Sequence, residues 1–73
     1  MIYLNRLNGK EFVINSDLIE HIESTPDTVI AMTDGKKLVV QQSPAEIIER
    51  IIAYRRRIFP YVLENGENAE KRD

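Results

Sequence analysis

Up to Gln41 the chain alternates apolar and polar positions in short runs, and after Ser43 the spacing becomes helical. In Met1–Leu7, Ile2 and Leu4 fall on one side of an extended segment, with Tyr3, Asn5 and Leu7 on the other. Glu11–Asn15 repeats this, with Phe12 and Ile14 opposite Val13. Between them, Asn8-Gly9 tolerates positive φ, so a two-residue type I′ turn and a first hairpin are expected. Asn15-Ser16-Asp17 reads as a turn or a single helical turn. In Leu18–Ser24, Ile19 and Ile22 stand at helical spacing, but so short a segment between turn signals favours a strand. Such a strand would put His21 on one face with Ile19 and Glu23. Thr25-Pro26-Asp27 breaks the pattern, since Pro26 cannot donate to a ladder.

Two further strands follow, Thr28–Thr33 and Lys36–Gln41, around Asp34-Gly35. A two-residue turn there pairs Thr33 with Lys36, Ala31 with Leu38 and Val29 with Val40, and sets Ile30 beside Val39 on the opposite face. Both faces are then apolar at their centres, whereas a half-exposed sheet would alternate cleanly. One face is expected to lie on the chain's own core, and the other under the helix or a second subunit. Ser43-Pro44-Ala45-Glu46 has the form of a capping box with Pro at the first helical position. Ile47, Ile48, Ile51, Ile52, Ile58 and Phe59 form a wide apolar stripe interrupted by Arg55. Glu46 and Arg50 are spaced for an i,i+4 pair, Arg55-Arg56-Arg57 would suit the helix end, and Pro60 is expected to stop or kink the helix.

The elements describe an α+β protein: a small antiparallel sheet or open barrel of about five strands in two hairpins, then one C-terminal amphipathic helix. Residues 1–63 form the single expected domain. Residues 64–73 (ENGENAEKRD) hold too little apolar surface to offset the entropy of ordering, and are expected to be a disordered tail.

Composition narrows the function. A chain of 73 residues without cysteine has neither a disulfide nor a thiolate metal site to reinforce a small core. Self-association is the expected source of further burial. A net charge of −2 disfavours nucleic acid as the partner. No apolar run reaches the ~20 residues a membrane-spanning helix needs, and the opening MIYLNRLNG is a strand pattern, so a cytoplasmic location is expected. His21 between Glu20 and Glu23 lacks a second histidine for a metal site and is read as structural. Neither glycine turn has phosphate-loop spacing. No cofactor, small-molecule substrate or catalytic residue is expected, and the chain is read as a non-enzyme. The residues proposed to contact a second copy or a partner are Ile30, Met32, Val39 and Tyr61, with Arg55, Arg56, Arg57 and Asp27 at the outer edge. Replacing Ile30 or Val39 by Asp is expected to disrupt folding or assembly.

Three segments together carry a family resemblance: MIYLNRLNGKEFVIN, IEHIESTPDTVIAMTDGKKLVV and SPAEIIERIIAYRRRI. The chain resembles the flagellar FlbD family of small proteins, also called the swarming motility SwrD family. Asp34 stands where that family usually has Asn, and Met32 where it usually has Leu; both changes keep the turn chemistry or the packing. The resemblance implies a cytoplasmic accessory of the flagellar motor, peripheral to it, that promotes motor power for swarming through the torque-generating stator. It implies no binding residues. A small nucleic-acid-binding regulator of motility genes is the alternative: the hairpin and capped helix are similar to the β-module of LytTR DNA-binding domains, and the opening strand pair is similar to the carbon-storage regulator that binds RNA.

Overall fold

The computed structural model describes the backbone of residues 1–65 and the side chains of residues 1–59. The strands are β1 (Ile2–Asn5), β2 (Glu11–Ile14), β3 (Ile19–Glu23), β4 (Thr28–Met32) and β5 (Lys37–Val40), followed by one helix, α1 (Pro44–Asn65). A single 3-10 turn, Ser16–Leu18, joins β2 to β3, and the Asn15 side chain accepts from the Asp17 N–H at 3.0 Å. The expected α+β architecture is present: five antiparallel strands in a two-stranded sheet, β1-β2, and a three-stranded sheet, β3-β4-β5. The two sheets meet where Arg6 bridges Val40 and the Gln41 N–H donates to the Asn5 carbonyl at 2.8 Å.

Both hairpins turn differently from the type I′ expectation, and identically to each other. In the first, the Gly9 N–H donates to the Arg6 carbonyl at 2.8 Å and the Arg6 N–H to the Lys10 carbonyl at 2.9 Å. In the second, Gly35 donates to Met32 at 2.9 Å and Met32 to Lys36 at 2.8 Å. Among the described residues only Gly9 and Gly35 have positive φ, +91° and +93°. Each loop is therefore three residues closing on a left-handed glycine. The residue before each glycine adds a side-chain bond: Asn8 Oδ1 accepts from the Lys10 N–H at 2.9 Å, and Asp34 Oδ1 from the Lys36 N–H at 3.0 Å.

The extra loop residue shifts the second hairpin by one position. Val29 pairs with Val39, Ile30 with Leu38 and Ala31 with Lys37, in place of the expected Ala31–Leu38 and Val29–Val40 pairs. A one-residue slip exchanges faces. Ile30 and Val40 now share the core side, while Val39 turns outward and is 37% exposed. A second correction concerns β3. Ile19 pairs with Met32 but His21 with Ala31, so Glu20 is an extra residue, a bulge. The bulge returns Ile22 to the same side as Ile19, and both pack on the core. The three-residue spacing that resembled a helix is thus a bulged strand, and His21 does not share a face with Ile19.

Ile2, Leu4, Ile14, Ile30, Val40 and Ile47 form the core, drawn from β1, β2, β4, β5 and α1. Full burial of a side chain of this size contributes about 1.5–3 kcal/mol. The capping box forms as expected: the Glu46 N–H donates to Ser43 Oγ at 3.1 Å, and the Ser43 N–H to Glu46 Oε1 at 2.8 Å. That bond occupies the Glu46 carboxylate, and the expected pair with Arg50 gives way to another contact, in which Arg50 Nη1 donates to the Tyr3 carbonyl at 2.6 Å. Pro60 does not stop the helix, which continues to Asn65. Proline removes one donor, here opposite the Arg56 carbonyl, and that loss does not end the helix. Arg55-Arg56-Arg57 consequently lie about two turns before its end and do not serve its last turn. Glu64 and Asn65, expected in the tail, are helical; residues 66–73 lie outside the described residues.

Candidate interaction surfaces

The helix has two apolar faces and the body of the protein covers one. Ile47 is fully buried, and Ile51 and Tyr54 pack on the core beside it. Ile48, Ile52 and Phe59 are 51%, 40% and 54% exposed. At about 100° per residue, this second stripe lies roughly 110° around the helix from the first. The sequence carried the signal in its doubled isoleucines, 47-48 and 51-52, which make a band too wide for one contact. Ile52, Arg55, Arg56 and Phe59 frame an open depression of about 240 Å³ whose exposed lining is apolar, because the arginines contribute their hydrocarbon stems.

Arg55 is drawn toward the body by Asp17, Nη2 to Oδ1 at 2.8 Å, which ties the helix to the 3-10 turn. Both partners are largely solvated, so the pair contributes no more than about 0.2–1 kcal/mol. Arg56 and Arg57 are exposed. Arg57 turns to the opposite flank, where with Arg50, Tyr3 and Tyr54 it lines a shallow groove of about 250 Å³ between α1 and β1. The arginine run therefore serves different surfaces and forms no single patch. Of the other residues proposed for contact, Ile30 is 0% exposed and has no surface to offer, and Met32 is half-buried on the core. Val39 and Asp27 are exposed; the side chain of Tyr61 lies outside the described residues.

A cleft of about 360 Å³ opens between the two hairpins with Phe12, Met32 and Leu38 at its apolar wall. Arg6, Lys36 and Asp34 stand among its polar lining, and Arg6 lies 4.4 Å from the Phe12 ring centroid in a cation–π contact. Asp34 is the cleft's one carboxylate, and its lining includes no His, Cys or Ser. His21 sits 3.4 Å from Glu20 and 3.5 Å from Glu23. The bulge brings Glu20 alongside, where regular strand geometry would have sent it to the opposite face. Among the described residues no group of three His, Cys, Asp or Glu side chains could hold a metal ion, and no helix is long and apolar enough to cross a membrane.

Comparison with curated proteins and with solved structures gives no match. A family model described as FlbD, flagellar and swarming motility proteins, matches residues 1–59, which take in all five strands, the capping box and all three arginines of the run. The chain therefore belongs to the FlbD family of flagellar and swarming motility proteins.

Proposed function

We propose that this chain is a non-catalytic accessory of the flagellar motor that raises motor power during swarming through protein–protein contact. The reading places it in the cytoplasm, peripheral to the motor, with motor or stator components as partners and with a second copy of itself. It needs no cofactor and no small-molecule substrate. The observation that carries it is the uncovered apolar stripe of α1, Ile48, Ile52 and Phe59, in a member of a motility family. Contiguous exposed apolar surface of this kind marks binding sites for other proteins.

Single-motor torque in a strain lacking the gene tests the reading. Torque and swarming fall while the number of flagella stays the same. Unchanged torque overturns the motor role, and a loss of flagellar gene expression with normal motors would favour the nucleic-acid-binding regulator.

A further inference from the structure

We propose that two copies of this chain pair through α1 in antiparallel order, each exposed isoleucine stripe packing into the other. The proposal rests on the self-association in the reading above and deepens it by naming the surface and the geometry.

The depression on α1 is framed by residues at i, i+3, i+4 and i+7: Ile52, Arg55, Arg56 and Phe59. Four helical residues at that spacing form the hole into which a knob from a facing helix inserts. Ile48, Ile52, Arg55 and Phe59 recur at alternating intervals of four and three, the seam of a two-helix pair. The salt bridge to Asp17 holds the Arg55 guanidinium aside, so the one polar position on the seam presents its stem.

Charge selects the occupant and the direction. Glu49 and Arg56 flank the same side of the stripe, one heptad apart. In an antiparallel pair like flanks face each other. A two-fold axis near residues 53 and 54 then sets Ile48 against the partner's Phe59 and Ile52 into the hole framed by the partner's Arg55 and Arg56. It also brings Glu49 close to the partner's Arg56, and the symmetry repeats each contact. Parallel order would turn the Glu49–Arg56 flank toward the partner's opposite flank, which carries Ile51 and Ile58 and offers neither charge a counterpart. The surface is thus complementary to itself only when the helices run in opposite directions.

The rest of the molecule permits this arrangement. The N-terminal half of α1 holds Ile47 and Ile51 on the core, while Ile58 and Phe59 further along are 38% and 54% exposed. Antiparallel order places each sheet body beside the other copy's outer helix half, so the bodies are staggered.

Sedimentation equilibrium of the full chain across a concentration series provides the test. The wild type gives twice the 8.5 kDa chain mass. Ile52→Asp, Glu49→Arg and Arg56→Glu each weaken the dimer roughly tenfold or more, with the circular dichroism of the folded chain retained. Glu49 is exposed, so its variant leaves the core untouched. Mixing Glu49→Arg with Arg56→Glu, or combining both changes in one chain, restores dimerisation. A chain monomeric at every concentration overturns both this pairing and the self-association reading. A dimer insensitive to the helix variants but lost in Val39→Asp overturns the helix pairing alone and leaves self-association standing. Failure of the charge exchange to restore the dimer overturns the antiparallel order.

Discussion

Ile30 and Val39 show how much one position of register decides. Both are β-branched, both sit mid-strand, and the expected turn placed them side by side. In the structure Ile30 is 0% exposed and Val39 is 37% exposed. The two aspartate variants therefore part company. Ile30→Asp buries an uncompensated carboxylate and abolishes the cooperative unfolding transition, whereas Val39→Asp keeps it and stays within about 1 kcal/mol of wild type in urea unfolding. An unfolded Val39→Asp chain would show that this face is closed. The identities of these residues were plain in the sequence, and their burial was not, because burial follows from a turn whose type the Asp-Gly pair alone leaves open. The alternation of Ile2 and Leu4 and of Ile14 was legible within each strand, but the three-residue loop after Arg6 is what sets Ile2 opposite Ile14 on one face.

The elements themselves were legible: strand alternation, the capping box and the polar corner at Asn15 all appear where the sequence puts them. Boundaries and irregularities were not. The bulge at Glu20 gives Ile19–Ile22 a helix-like spacing; the short span between turn signals identifies the strand, and only pairing with β4 reveals the bulge. Each loop's left-handed glycine gives a sharp test. A Cβ at Gly9 or Gly35 would meet nothing within 4 Å, so any penalty for alanine there is conformational. Gly35→Ala costs about 1–2 kcal/mol of stability in denaturant unfolding, and an unchanged midpoint would mean the loop readily adopts another turn. At the helix start, Ser43→Ala removes the acceptor for the Glu46 N–H and costs about 0.5–2 kcal/mol by the same measurement.

At the scale of the whole molecule, two sheets and a helix are held together by a small core and a few specific polar ties. One such tie is Gln42, 8% exposed, whose Oε1 accepts from the Asn5 N–H at 2.8 Å while its Nε2 donates to Asn5 Oδ1 at 2.9 Å. Gln42→Ala leaves a backbone donor without its acceptor and lowers stability by about 1–3 kcal/mol; a loss below about 0.5 kcal/mol in urea unfolding would show that water takes over both bonds. The molecule's apolar excess was visible in the sequence, but not its placement: part lies on one flank of α1 and part on Tyr3, Leu7, Val13 and Leu18 of the strands and loops, according to which faces the body covers. The bulge in β3 has a consequence of its own. With strand order β3-β4-β5, β3 is an outer strand whose unpaired amides could template the addition of another chain. Glu20 breaks the regular ladder there, and Glu20, His21 and Glu23 load that strand with ionisable groups. A broken ladder and charged side chains are the features that discourage edge-to-edge strand addition, so the exposed edge of this sheet is a poor template for a further strand.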